Sequence, residues 1–541
     1  MSSYQNADLV LFNAEIWPGF GMAPAQAIAL SGNRVQALGT TEDMLALAGP
    51  ATRRVDLGGR FVMPGLNDAH LHLIQTGLRL AEVDVSPEAA PTRHAMLDAL
   101  RHRAAQTPKG DWVLAQGFDQ TRYPDHRMPT LAELDAALPD HPLALTRACL
   151  HIVLVNSRAF ERAGITSETP DPDGGLIERA DGRLTGLIAE NAIGLIAAAQ
   201  PRPGYDDLGK AITDAGRLLN AYGITSCMDA AVGLTAGMDE IHALQQAEAD
   251  GSLLVRVWAT LLGDPGRSIV EACHARGLVT GQGSDMLRIG GVKLFLDGSA
   301  GGRTAWMKEA YAGQPENFGL QMLSDDRLHR LVQRYTGMGY TMVCHAIGDA
   351  AIDQLVTAYE AVQPSDPSQR RRHRVEHCGY VSDAMNQRMR SAGILPAPQQ
   401  AFIHNFGDAY IETLGPSRGL RSYPIGTWSL LGMKPSTGSD SPVCDPAPMP
   451  NIHAMITRQT VNGTVMDASE RLSNEEALRA YTEYGAYSQG AEAEKGKLLP
   501  GMLADLAVFD RNLLSAGPNE ILHRSRCEMT VLGGKIVHDF L

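Results

Sequence analysis

The stretch Arg60-Phe-Val-Met-Pro-Gly-Leu-Asn-Asp-Ala-His-Leu-His72 decides how the rest of the chain is read: an apolar run leads straight into two histidines spaced by one residue. Side chains alternate along a strand, so His70 and His72 share a face and can grip one cation. Later stations repeat the pattern of an apolar run ending in a polar ligand type. They are Lys293 in Gly-Gly-Val-Lys-Leu-Phe-Leu-Asp-Gly-Ser, His345 in Met-Val-Cys-His-Ala-Ile-Gly-Asp, His377 in Arg-Val-Glu-His-Cys, and Asp440 in Ser-Thr-Gly-Ser-Asp-Ser-Pro-Val. One His-x-His pair is weak evidence, but the series of stations is not.

Eight strand-like runs carry or separate these stations: Phe61 to Pro64, Thr225 to Asp229, Leu253 to Leu262, Val292 to Leu296, Thr341 to Cys344, Arg374 to His377, Ile394 to Ala397 and Pro435 to Thr437. From the second onward they alternate with helical patterns, among them Asp207 to Ala221, Met238 to Glu248, Asp326 to Met338 and Ala350 to Val362. Such alternation predicts an α/β fold, a (β/α)8 TIM-like barrel whose active site lies at the C-terminal ends of the strands. All six residues of these stations fall at those ends.

The two ends of the chain read differently. Short strands around Ala7 to Trp17 and Ala27 to Gly39, and again around Ala504 to Asp510 and Met529 to His538, are too few at either end to bury a face alone. They are expected to form one small composite β-sandwich from residues 1–60 and 497–541. The barrel then occupies 61–80 and 189–496. About 150 residues separate its first two strands, far more than a crossover needs. The excess, 81–188, is expected to be an inserted domain over the active site.

Composition sets outer limits. A 541-residue chain suggests two to four structural units, and its net charge of −14 argues against binding nucleic acid or an anionic membrane surface. The start of the chain shows no basic-then-apolar leader, and no run of roughly 18 apolar residues occurs, so a cytoplasmic protein is expected. The seven cysteines show no paired spacing, which fits a reducing compartment. Cys344 and Cys378 adjoin ligand candidates, but strand alternation turns them toward the core.

Together these features resemble the amidohydrolase superfamily, and within it the amidohydrolase 3 (YtcJ-like) branch that includes N-substituted formamide deformylase. The resemblance runs nearly end to end. It includes Val62-Met-Pro-Gly-Leu-Asn-Asp-Ala-His70, His151 to Ser157, Asp171-Pro-Asp-Gly-Gly-Leu-Ile177 and Gly501-Met-Leu-Ala-Asp-Leu-Ala-Val-Phe-Asp510. The chain departs from the family at Gln116-Gly-Phe-Asp119, where Gly-x-Gly-Trp-Asp is common, and at Gln399-Gln400, where Gln-Pro is common. Both places are expected to shape the substrate pocket.

The resemblance implies a metal-dependent hydrolase that cleaves a C–N, amide-type bond of a small molecule by attack of metal-activated hydroxide. Two zinc ions per subunit are expected: His70 and His72 hold the more buried one, and His345 and His377 hold the other. Glu376 and Asp349 would orient these imidazoles. Lys293 has two readings. As an amine depressed by burial it can take up carbon dioxide and bridge both ions as a carbamate, or it can remain an ammonium paired with Asp297. Asp440 is the expected catalytic proton carrier. His151, Arg303 and Gln399 are candidates for binding the substrate. The partners expected are a small-molecule substrate and further copies of the chain in a homo-oligomer, with no nucleic acid and no membrane. The alternatives are a mononuclear deaminase of a heterocycle, which would not need Lys293, and a non-catalytic barrel.

Overall fold

The computed structural model describes residues 6–87, 89–120, 123–147, 152–172, 175–190 and 192–541. The chain divides into two compact units, Met1–Thr76 with Leu208–Leu541, and Gly77–Asp207.

The larger unit is built on a parallel sheet of seven strands in the order Leu66–Leu71, Ile224–Val232, Arg256–Leu262, Leu287–Phe295, Thr341–Ala346, Arg374–His377 and Leu395–Ala397. These strands wind into a nearly closed barrel. The eighth run expected from the sequence, Pro435 to Thr437, is not a strand. It is an extended segment, and a proline cannot donate to a ladder. The segment nevertheless lies along the first strand, because Ala69 N donates to Thr437 O at 3.0 Å, Asp440 N to His70 O at 2.7 Å and His72 N to Ser441 O at 2.8 Å. Gly438 makes that approach possible. A Cβ there would stand 2.4 Å from His70 N and 2.5 Å from Asp68 Oδ1.

The first strand also differs from its reading. Phe61–Pro64 pairs with Glu15–Ile16 and antiparallel with Leu506–Phe509, so it belongs to a sheet of the chain ends and not to the barrel. Pro64-Gly65 breaks the run that looked continuous in sequence. A Cβ at Gly65 would lie 2.2 Å from Thr225 Oγ1 on the neighbouring barrel strand, so the chain crosses between the two sheets where only glycine fits. The end sheet joins Glu15–Ile16, Phe61–Pro64, Leu506–Phe509, Cys527–Leu532 and Lys535–Asp539, and a second sheet joins Arg34–Gly39, Ala27–Ser31, Ala7–Phe12 and Ala48–Asp56. Leu9, Leu11, Ile28 and Leu30 of one meet Val62, Leu506, Val508 and Val531 of the other in a single core cluster.

Helices cover the barrel through apolar stripes. Asp325–Gly337 buries Leu328, Val332 and Tyr335, a spacing of four and three that lines one face. Each such side chain contributes roughly 1.5–3 kcal/mol on leaving water. Asp383–Ala392 starts at Ser382, whose hydroxyl accepts from Met385 N, and stops at Gly393 in the left-handed conformation.

The smaller unit carries a six-stranded mixed sheet in the order Gly175–Ala180, Arg183–Glu190, Ile152–Val155, Leu143–Arg147, Val113–Phe118 and Val83–Asp84. It extends beyond residues 81–188 at both ends, because the helix Ile193–Ala199 places Ile196 in one core cluster with Val153, Ile177 and Ile188. No helix among the described residues is long and apolar enough to cross a membrane.

Candidate metal centre

His70, on the first barrel strand, and His72, one residue past its end, turn to the same place, as alternation requires. Asp440 Oδ1 lies 3.3 Å from His70 Nε2 and 3.4 Å from His72 Nε2. One ligand atom from each of the three residues falls within 4.8 Å of the others, a group that could hold a metal ion. The donor set fits a divalent ion of the zinc type. His70 Nε2 and His72 Nδ1 are buried without a hydrogen-bond partner, an arrangement that costs free energy unless something binds there.

His70 is held from behind. Its Nδ1 bonds Glu376 Oε2, and Arg374 donates to both oxygens of Glu376, from Nε at 2.7 Å and from a terminal nitrogen at 2.9 Å. Arg374 and Glu376 are completely buried. Burial pushes the Glu376 carboxyl up, but the Arg374 guanidinium and His70 outweigh it and hold it at about 2. The pair therefore orients His70, whereas the sequence reading gave Glu376 to its neighbour His377. The register explains the difference. Glu376 pairs with His345, so these two share a face, and His377 would point the other way. A left-handed backbone at His377, φ 68°, and at Cys378, φ 53°, turns the His377 ring back. Its centroid lies 4.8 Å from that of His70 and 4.4 Å from that of His345.

The other orienting carboxylate was also misplaced. Asp349 accepts from Lys308 N at 2.8 Å. The acid beside His345 is Asp297, whose Oδ1 lies 3.2 Å from His345 Nε2 and which accepts backbone N–H groups from Trp306, Ile347 and Gly348. Asp297 closes the Lys-Leu-Phe-Leu-Asp run, in which the sequence offered it only as an ion-pair partner of Lys293. It does not pair with Lys293. The Lys293 ammonium nitrogen is buried without a hydrogen-bond partner, 4.8 Å from the centre of the Phe295 ring. Burial lowers its pKa, against the opposing charges of Glu376 and Asp440.

Burial likewise lowers His72, and it lowers His377 further, with His345 adding to the effect. Asp440 goes the other way. Burial alone would raise it, but the His70 and His72 imidazoles beside it and the nearby charges hold it well below the usual carboxylate range. Beneath the group, Asp68 accepts from Ser439 N and His70 N at 3.1 Å, and burial raises it to about 7. Cys344 and Cys378 are fully buried, with their thiols pushed up by burial.

The substrate candidates separate. Gln399 is fully buried and accepts from His377 Nδ1 at 2.6 Å, so it positions that ring. Arg303 lies in the loop after Asp297 with φ 57°, and its carbonyl accepts from Asn317. His151 lies outside the described residues. Sequence reading missed Arg374 and Asp68, for which the only signal was their position within the quoted motifs, and it named Asp297 only as a partner for Lys293.

A barrel with histidines and an aspartate gathered at the C-terminal rim defines a class, and the profile of the amidohydrolase family matches residues 53–538. The chain belongs to that family. It is 31% identical over 505 residues to YtcJ of Bacillus subtilis (strain 168), a match covering 91% of each chain. It is 28% identical to the N-substituted formamide deformylase of Arthrobacter pascens, covering 96% of each. Among solved structures, an uncharacterized metal-dependent hydrolase from Pyrococcus furiosus superposes with a TM-score of 0.77 at 27% identity, over 94% of this chain and 100% of the other.

Proposed function

We propose that this protein is a metal-dependent hydrolase that cleaves an amide-type C–N bond of a small molecule. The observation that carries this reading is the convergence of His70, His72 and Asp440 on one buried point, with donor nitrogens left unpartnered. The names of two relatives, a formamide deformylase and a metal-dependent hydrolase, support it.

His70, His72 and Asp440 would hold one divalent ion, and His345 and His377 a second. Lys293 would join them as a carbamate, its neutral amine adding to the carbon of carbon dioxide and releasing one proton. The buried and unpaired state of Lys293 supports that chemistry, and gives the residue a part that a mononuclear deaminase would leave empty. Zinc in such a site acidifies water and polarises a carbonyl. The protein's own groups do the rest. Glu376 and Gln399 fix the His70 and His377 rings, and Asp440 takes a proton from the attacking water and returns it to the leaving nitrogen. His72 and His345, with side chains 12% and 13% exposed, mark the edge from which substrate reaches these groups.

The test is hydrolysis by the purified zinc-loaded protein of a panel of N-formyl amines, N-acyl amino acids, cyclic amides and aminated heterocycles. Release of acid and amine is expected. Ammonia without acid, or no turnover of any amide, contradicts the reading.

A further inference from the structure

Behind the His377 ring stands an aromatic wall. Phe402 stacks on His377 at 5.7 Å with an interplanar angle of 9°, and Tyr423 meets Phe402 edge-on at 6.0 Å. Tyr423 is completely buried, yet its hydroxyl has no hydrogen-bond partner of normal geometry. The Tyr410 hydroxyl lies near it without closing such a bond. A buried, unsatisfied hydroxyl costs about 1–3 kcal/mol.

The backbone of Tyr423 is also strained, with φ 53°, and heavily restrained. Its N–H donates to Gly379 O at 2.8 Å, and its carbonyl accepts from Gln400 Nε2 at 3.2 Å and from Arg458 at 3.0 Å. Arg458, itself fully buried, also holds Ser422 O at 2.6 Å and Gln400 Oε1 at 2.8 Å. A buried guanidinium is thus spent on fixing one unfavourable tyrosine conformation. Strain held in this way is typical of groups positioned for function.

The restraint sets the phenol at the rim of the site. A Cβ at Gly379, two residues past His377, would stand 3.4 Å from Tyr423 Cζ and 3.0 Å from Ile347 Cγ2. The hydroxyl end therefore lies over the loops that follow His345 and His377. Of the carboxylates, Asp297 and Asp440 are the two whose charge reaches it. Neither accepts its proton, so among the described residues only the loosely placed Tyr410 hydroxyl competes with a guest for it.

We propose that the Tyr423 hydroxyl donates a hydrogen bond to the oxygen of the scissile carbonyl as negative charge develops on it. The proposal rests on the amide hydrolysis argued above. It assigns an oxyanion-holding role to a loop tyrosine that is not among the substrate-binding candidates His151, Arg303 and Gln399 offered by the sequence.

The experiment compares Tyr423→Phe with the wild type and with Tyr410→Phe, all zinc-loaded, on an amide that the wild type turns over. One oxyanion donor is worth about 10²–10³ in kcat, so Tyr423→Phe is expected to lose that much with little change in KM. Its melting temperature should hold or rise, because an unsatisfied hydroxyl has been removed, and zinc content should not change. Tyr410→Phe should keep its kcat. Calorimetry with methylphosphonate, a tetrahedral oxyanion, supplies a readout without turnover: affinity should fall roughly ten- to a hundredfold in Tyr423→Phe, the worth of one hydrogen bond to a charged group. Unchanged kcat and unchanged affinity in Tyr423→Phe overturn the proposal, as does an equal loss in Tyr410→Phe or a fall in melting temperature with kcat retained. A wild type that binds methylphosphonate but hydrolyses no amide overturns the reading of function alone, and the binding comparison still decides Tyr423.

Discussion

At the scale of single residues the account turns on two carboxylates with different work. Asp440 faces the imidazoles of His70 and His72, and its charge is favoured by them in spite of burial. Asp440→Asn keeps the shape and loses the proton acceptor, so kcat should fall about 10²- to 10⁴-fold while the melting temperature changes little. Steady-state kinetics on the folded, zinc-loaded variant check this, and near wild-type turnover would remove Asp440 from proton transfer. Glu376 works behind the site. Its folded pKa of about 2 lies below the ordinary 4.5, so its contribution to stability is present above about pH 4.5 and is lost as pH falls toward 2. Glu376→Gln should lack that part of the pH dependence of melting. It also leaves Arg374 buried without its partner, a loss of about 3–5 kcal/mol measurable by urea unfolding.

At the scale of elements the sequence told which runs were strands more reliably than which sheet they joined. Thr341–Ala346 and Arg374–His377 were legible from their apolar runs, and the helices Asp325–Gly337 and Asp349–Val362 from their periodicity. Phe61–Pro64 was legible as a strand but its sheet was not, because its partner Leu506–Phe509 is more than 400 residues away and nothing local announces such a pairing. His377 was legible as a candidate but not as an exception to alternation, since a left-handed turn at a histidine leaves no mark in the sequence. Gly438 carries the element-scale prediction. Alanine there forces a Cβ against His70 N and Asp68, and overpacking of this kind costs about 1–3 kcal/mol. Gly438→Ala should lower the urea midpoint and loosen zinc binding, whereas Gly301→Ala, where a Cβ meets nothing within 4 Å, should do neither. Equal behaviour of the two variants would show that the extended segment does not press on the His70 strand.

At the scale of the whole molecule, the barrel and the joining of both chain ends could be read from patterns that recur along the chain. The sequence offered His70, His72, His345, His377, Lys293 and Asp440 as candidates, and the fold gathers His70, His72 and Asp440 in one group with the His377 ring between those of His70 and His345. It left out Arg374 and Arg458 and gave Asp297 the wrong partner. Arg374, Asp297 and Arg458 look in sequence like ordinary charged residues, and their roles depend on contacts that exist only once the barrel has closed. The central claim, a centre for two divalent ions, is tested most directly by elemental analysis of the protein after incubation with excess zinc and bicarbonate and removal of unbound metal. The account predicts close to two zinc ions per chain, falling toward one in Lys293→Ala. A wild-type chain that stays near one contradicts the bridging role of Lys293, and a chain that binds none contradicts the metal centre itself.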